Sequence, residues 1–492
     1  MRSGCERNEG EGNAAVQRVD SDVRGEVLED ADNARASDVR GGGERLQATR
    51  DGDEGAEERH EDDAREPAVG SPFVSAYPPF SLWSPEHTPA FERVLASAPS
   101  GARLGLYAHV PFCEERCAYC VYLSRRSPRP DALAAYVDGL LAEARLIARS
   151  PFLAGRELAF VYIGGGTPSL LAPDGIARLL DGLRSALPWS TGAEVSFECA
   201  PRSATPERLR AMRAAGVTRS SMGIQALDDE VLRLNARIHT VDDCMRALDA
   251  LGEAGFEVVN TDLIAGLVGE TERTFTRGLG RLLERGPDSV TVYPLEIPEN
   301  TPLFRALGRD ALAGPLPAPA ARRRRVALAF STLEDSGYTR ISAYAAVRDP
   351  ERGRFGYQRD QYHGADVIGL GASAFAYLGG VHHQNIIAPA RYLERIAAGD
   401  LPLGRSYALD ARGRCMRELV LQLKLGRCDL DALAQRHGVD PRDLAGAPIA
   451  SGERTGWWRI EKGVLLVGAQ GLARIDRLLP DLYLPEHREP AH

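Results

Sequence analysis

Leu106-Tyr107-Ala108-His109-Val110 runs through Pro111-Phe112 into Cys113-Glu114-Glu115-Arg116-Cys117-Ala118-Tyr119-Cys120, and a helical pattern follows over 130–148. A short β-branched and aromatic run, a loop and a longer amphipathic stretch make one strand–loop–helix unit. The same grammar recurs. A strand at 157–163 meets Gly164-Gly165-Gly166-Thr167-Pro168 and a helix at 173–187, and further strands fall at 194–198, 219–223, 257–262 and 289–293 with helical stretches between them. Six such units in series predict an α/β fold, a parallel sheet closed or partly closed into a TIM-type barrel. Active sites of such barrels lie at the C-terminal strand ends. The cysteine loop, the glycine turn, Glu198, Gln225, Asp262 and Glu296 all fall there.

The loop itself has the spacing C-x3-C-x2-C. Thiolates are the ordinary ligands of iron–sulfur clusters. Three ligands on a [4Fe–4S] cluster leave one iron open, able to chelate the amino and carboxylate groups of S-adenosylmethionine (SAM) and deliver an electron to its sulfonium. Homolysis then yields methionine and a 5′-deoxyadenosyl radical. A structural zinc site wants four ligands in two spaced pairs, and no second Cys/His pair stands at suitable spacing. The glycine triplet permits close backbone approach because no Cβ intervenes. Alone it reads as a plain turn; on the rim that carries the cysteines it reads as a cradle for the amino group of SAM.

Bulk properties narrow the alternatives. A net charge of −9, from 60 basic and 69 acidic residues, offers no field for tracking a phosphate backbone, so nucleic acid is not an expected partner. The one basic run, Arg322–Arg325, reads as a solvated helix face. No apolar stretch is long enough to cross a membrane, and the N-terminus lacks the apolar core of a secretory signal. The expectation is a cytosolic protein without a membrane partner, whose clustered thiols stay reduced and serve as ligands rather than disulfides.

Residues 1–70 are rich in Glu, Asp, Arg and Gly and nearly free of aromatics, a composition that predicts disorder. After Met1 the next methionine is Met212, so no later Met start falls at the edge of this tail. The expected organisation is a tail over 1–70, a barrel core over 71–345, an extension and linker over 346–414 and a C-terminal domain over 415–492. That last piece reads as helices at 416–425 and 430–437, a hairpin of 457–460 with 464–467, and a helix at 470–478, a helical or winged-helix-like arrangement.

Several motifs in order carry a resemblance: Tyr107-Ala108-His109-Val110-Pro111-Phe112-Cys113 with its cysteines, Tyr162-Ile163 before the glycine turn, Glu198, Met222-Gly223-Ile224-Gln225, Arg237-Ile238-His239, Asp262-Leu263-Ile264-Ala265-Gly266-Leu267 and Gly369-Leu370-Gly371-Ala372-Ser373-Ala374-Phe375. Over about 104–485 the chain resembles the radical SAM family of oxygen-independent coproporphyrinogen III oxidases, which also holds heme chaperones and methyltransferases using two SAM molecules. The resemblance implies that Cys113, Cys117 and Cys120 bind the cluster. It implies that Tyr107, Gly165, Glu198 and Phe375 contact the SAM on it. Tyr119, Gly166, Thr167, Gln225, Arg237, Asp262 and, in less similar surroundings, Glu296 fall where relatives hold a second SAM. The chemistry suits those roles: a carboxylate accepts from ribose hydroxyls, Arg237 can pair with a methionine carboxylate, and Tyr119 can stack on adenine.

Two departures stand beside the resemblance. Where the oxidase pattern places an additional cysteine two residues past the third ligand, this chain has Tyr122, and the chaperone pattern His-Asn-x-x-Tyr-Trp is replaced by Tyr357-Gln358-Arg359-Asp360-Gln361-Tyr362-His363. The expected function is radical chemistry on a tetrapyrrole or another large conjugated small molecule, fed by a low-potential donor such as flavodoxin or ferredoxin. A two-SAM C-methyltransferase and a heme chaperone without turnover are the alternatives. Cys199, Cys244, Cys415 and Cys428 read as buried, inert thiols, with Cys199 turned away from Glu198 by strand alternation. His382-His383 reads as structural or substrate-facing, and Trp457-Trp458 as packing.

Overall fold

The computed structural model describes residues 73–126, 128–353 and 355–488; the tail expected to be disordered, and Cys5 within it, lies outside them. Strand β1 is Leu104–Val110, with the short β2 (Phe112–Cys113) and β3 (Arg125–Arg126) in the cysteine loop. Then come β4 (Leu158–Gly165), β5 (Trp189–Cys199), β6 (Arg219–Gln225), β7 (Val258–Ala265) and β8 (Ser289–Pro294). After these follow β9 (Thr339–Arg340), β10 (Ala345–Val347), β11 (Asp366–Leu370), β12 (Phe375–Leu378), β13 (Val381–Asn385) and β14 (Leu403–Ala408). The last three are β15 (Arg427–Asp429), β16 (Trp458–Glu461) and β17 (Val464–Val467).

One sheet runs β14-β13-β12-β11-β1-β4-β5-β6-β7-β8-β10-β9. From β11 to β8 every neighbour is parallel, and antiparallel strands extend both ends. The order is open, so the barrel is partial. Connecting helices start and stop on local signals. Pro130, Pro173 and Pro206 occupy first turns, where a missing N–H costs nothing. Thr240 and Thr271 form capping boxes, and Gly255 and Gly286 close the same helices at φ 73° and 58°. Leu179, Leu180 and Leu183 of Pro173–Ala186 and Leu140, Ala144 and Ile147 of Pro130–Ile147 bury against the outer face of the sheet.

The inside of the barrel differs. Such barrels commonly fill their interior with layers of branched aliphatic side chains. Here cross-strand register aligns Tyr107, Tyr162, Ser196 and Arg219 in one row and Glu198, Ser221, Asn260 and Ser289 in the next. The lumen is therefore polar and phenolic, with a small apolar cluster of Phe160, Val367 and Ala365 packed against Tyr107 and Tyr357.

Helices Ala411–Leu423, Leu430–His437 and Pro441–Arg454 share a second apolar cluster with the β15-β17-β16 sheet. Val74, Tyr77, Ala343 and Tyr344 belong to that cluster too. Pro441–Arg454 escapes a reading by pattern because Gly446, Pro448 and Gly452 interrupt it, and its backbone is kinked at Ala445. The single helix expected at 470–478 is instead two short ones, Ala469–Leu472 and Ile475–Leu478. Arg322–Arg325 is not a solvated face. Arg322 and Arg325 are 6% and 8% exposed because their side of helix Pro319–Asp335 packs on the barrel. Arg322 donates to Leu295 O and Pro317 O, and Arg325 faces Glu270 at 3.8 Å. Among the described residues no helix is long and apolar enough to cross a membrane.

Candidate functional site

Three half-buried thiols, Cys113, Cys117 and Cys120, occupy the loop leaving β1. Burial raises the Cys113 thiol above its ordinary value and pushes that of Cys120 up to about 12, with the charge of Cys117 adding to both. A cationic metal group that takes the protons of Cys113 and Cys120 would offset that cost. Among the described residues no three His, Cys, Asp or Glu side chains converge on a point suited to a single ion. Arg237 Nη1 lies 3.0 Å from Cys117 Sγ, and Thr167 Oγ1 lies 3.6 Å from Cys113 Sγ. Cys117, Thr167, Arg237 and His239 line one cleft with Glu114 and Arg202.

The glycine turn packs tightly on this loop. A Cβ on Gly166 would sit 2.6 Å from Phe112 O, and one on Gly165, at φ 115°, would meet the His109 ring. The N–H groups of Gly165, Gly166 and Thr167 already donate to Glu198 Oε2 (2.9 Å), Val110 O (2.9 Å) and Phe112 O (2.7 Å). What the turn's backbone can still offer a ligand is carbonyl oxygen, the acceptor an ammonium needs.

Glu198 closes the lumen beneath the turn. Its carboxylate accepts from Tyr162 OH (2.6 Å) and Gly165 N–H. Burial, reinforced by the Asp262 charge, nonetheless pushes it up to about 7. Asp262, also raised by burial, accepts from Ser221 Oγ (3.0 Å) and Asn260 Nδ2 (2.9 Å). Asn260 Oδ1 in turn accepts from Ser289 and Thr291. Tyr107 OH lies 2.6 Å from His109 Nδ1, and its ring stacks on Tyr162 at 6.1 Å. Tyr122 is 57% accessible, yet its phenol is held above the ordinary range by burial and by Glu198, Cys120 and Asp262.

Gln225 ends β6 at φ 71°, with a register shift beside it. Left-handed non-glycine residues concentrate at ligand sites, and Ala236 (φ 56°), next to Arg237, and Ser373 (φ 63°), in the late glycine motif, are two more. Tyr119 packs against the main core with its phenol in the field of Cys117 and Arg237. The Phe375 ring stacks on Phe80 at 4.6 Å, although its backbone crosses Gly369, the partner of Tyr107. Glu296 has Arg322 and Lys424 as charged neighbours.

Sequence reading missed Tyr162, Arg219, Ser221, Asn260 and Tyr293 in the lumen. The signal was polar residues at alternate positions of buried strands. It also missed Glu143, buried on helix Pro130–Ile147, which accepts from Gly371 N–H (2.7 Å), Asn385 Nδ2 (2.6 Å) and Tyr392 OH (2.7 Å) and so fixes the late glycine loop. His382 and His383 are structural: one lies 3.0 Å from Tyr77 O, the other stacks on Phe91. Cys199 is buried beside Met212 and Ser220, away from Glu198.

Residues 107–277 match the radical SAM superfamily. The chain is 31% identical to the oxygen-independent coproporphyrinogen III oxidase of Bradyrhizobium diazoefficiens, over 76% of this chain and 85% of that one. It is 32% identical to the heme chaperone HemW of Mycobacterium tuberculosis, over 73% and 90%. The crystal structure of the Escherichia coli coproporphyrinogen III oxidase HemN, a radical SAM enzyme, superposes with a TM-score of 0.73 at 27% identity, covering 83% of this chain and 96% of that one. The chain belongs to the radical SAM superfamily and, within it, to the coproporphyrinogen III oxidase-like family. Membership implies a [4Fe–4S] cluster and SAM.

Proposed function

We propose that this chain is a radical SAM enzyme whose cluster is held by Cys113, Cys117 and Cys120 and whose substrate is a tetrapyrrole or another large conjugated molecule. The observation that carries the reading is the juxtaposition of three enclosed thiols with a polar, tyrosine-lined lumen at the C-terminal strand ends. When bound, the cluster supplies the electron that cleaves SAM to methionine and a 5′-deoxyadenosyl radical. The chain's own residues bind and orient. Carbonyls of the glycine turn accept from the SAM ammonium, Glu198 accepts from ribose hydroxyls, Tyr107 packs beside it, and the Phe375 segment closes the edge. A cytosolic protein served by flavodoxin or ferredoxin fits this chemistry.

Tyr122, at the place of the oxidase's additional cysteine, favours a second reading: a two-SAM C-methyltransferase. Tyr119, Gly166, Thr167, Gln225, Arg237, Asp262 and Glu296 would hold the second SAM. Equilibrium binding should then find two SAM per cluster in the wild type. Asp262→Asn should give nearly one at the same SAM concentration, because Asp262 is bonded to Ser221 and Asn260 rather than to the cysteine loop. A wild-type ratio of one removes the methyltransferase reading. Stoichiometric heme binding without SAM turnover would make the protein a chaperone instead.

Glu198 gives a pH test. The titratable groups that interact with it include Tyr162, Tyr107, Tyr122, Tyr293, Tyr357, Asp262 and Cys113, none of them a cation. Burial pushes its carboxyl up to about 7, so it takes up its proton as pH falls from 8 to 6, and a ribose hydroxyl donates best to the ionised form. The Kd for SAM is expected to rise as pH falls from 8 to 6, and Glu198→Gln to flatten that slope. An unchanged slope in the variant would exclude Glu198 as its source.

A further inference from the structure

Two side chains from different strand-end loops reach the sulfurs of the candidate cluster ligands. Arg237 directs Nη1 at Cys117 Sγ, 3.0 Å away, while Nη2 donates to Gly223 O at 2.6 Å. Thr167 places its hydroxyl 3.6 Å from Cys113 Sγ. The arginine is held in this pose by its own backbone. Asn235, fully buried, donates to Val231 O and Val268 O and accepts from Val268 N–H. Ala236 takes a left-handed φ of 56°, and Arg237 N–H returns to Leu232 O at 3.0 Å. The N–H of Ala118, inside the cysteine loop, donates to Asn235 O at 3.2 Å, which ties the segment to the loop. A strained residue beside a doubly anchored guanidinium is more than a chance surface contact requires.

We propose that Arg237, and to a smaller extent Thr167, set the reduction potential of the cluster by donating hydrogen bonds to its cysteine sulfurs. This rests on the reading that Cys113, Cys117 and Cys120 hold that cluster. In the step concerned, the oxidised cluster takes one electron from a low-potential one-electron donor, and no bond forms or breaks. The added negative charge is shared by the irons and the thiolate sulfurs. A cation or hydroxyl at a sulfur therefore stabilises the reduced form more than the oxidised one and raises the potential. Arg237 carries full charge and the shorter contact, so its share is the larger. Such an effect brings the cluster within reach of a biological donor before any SAM arrives, a task separate from holding a SAM carboxylate.

The test is a dithionite titration of the reconstituted full-length chain without SAM, followed by electron paramagnetic resonance, with iron and sulfide measured in every sample. Arg237→Gln should lower the ratio of reduced to oxidised cluster about tenfold at a fixed potential, about 59 mV for one electron, and Arg237→Lys should recover part of it. Thr167→Val should shift the ratio the same way by less, and Thr167→Ser should restore it. Full iron content with unshifted ratios in both Arg237→Gln and Thr167→Val overturns the inference while leaving the cluster reading standing. A wild type that binds no iron overturns the cluster reading, and the inference with it. Should Arg237→Gln fail to hold iron, the Thr167→Val and Thr167→Ser pair decides.

Discussion

Replacing Cys113, Cys117 or Cys120 by alanine, one at a time, is expected to abolish both the iron content and SAM cleavage. With three protein ligands already the minimum, a variant offers two, and the lost thiolate cannot be replaced from nearby. Cys199 and Cys244, at 6% and 0% exposure, are packed in the core on other elements. Cys199→Ala and Cys244→Ala should therefore retain iron, losing only packing. Iron and sulfide analysis with the visible absorption of the reconstituted proteins makes the measurement. A wild-type cluster in any one of the three loop variants contradicts the ligand assignment.

Lys424→Ala is expected to destabilise the fold by about 3–5 kcal/mol, the range for removing one partner of a buried ion pair. Lys424 is 1% exposed, pairs with Asp476 Oδ1 at 2.8 Å and donates to Val74 O at 2.6 Å. Its ammonium also lies 3.9 Å from the Phe73 ring centroid. Asp476 accepts in addition from Val74 N–H and Tyr344 OH. One lysine thus joins residues that precede the barrel, the barrel's last strands and the C-terminal helices, and its loss leaves a buried carboxylate without a cation. Lys424→Met combined with Asp476→Asn should regain part of the loss, because the Asp476 charge is then not stranded, while Glu296 keeps Arg322 as a charged neighbour. Denaturant titration measures both. A loss below about 1 kcal/mol for Lys424→Ala would mean that Asp476, whose carboxyl burial pushes up to about 7, takes up a proton in place of the lost cation, or that water reaches it.

What could be read from the chain followed the reach of each signal. The cysteine loop and the glycine turn are local, each complete within eight residues, and the parallel barrel follows from repeated strand–helix units. The lumen is not local. Tyr107, Tyr162, Ser196 and Arg219 come from four strands and meet only through sheet register. Arg322 and Arg325 were misread because a run of four arginines carries no mark of which face packs; burial of two of them depends on Leu295 O and Glu270, distant in sequence. The helix at 470–478 was read from pattern alone, whereas the chain turns at Arg474. The stacking of the Phe375 ring on Phe80 is likewise not local, since no motif links the two residues.

The most direct test of the central claim is product analysis on wild-type protein, reconstituted anaerobically and reduced with dithionite in the presence of SAM. The account predicts release of 5′-deoxyadenosine with methionine in equal amounts, dependent on iron and absent without reductant. S-adenosylhomocysteine with an alkylated product would add the second SAM, and decarboxylated vinyl products the oxidase reaction. Iron-loaded, reducible protein that binds SAM yet releases no 5′-deoxyadenosine would contradict the account.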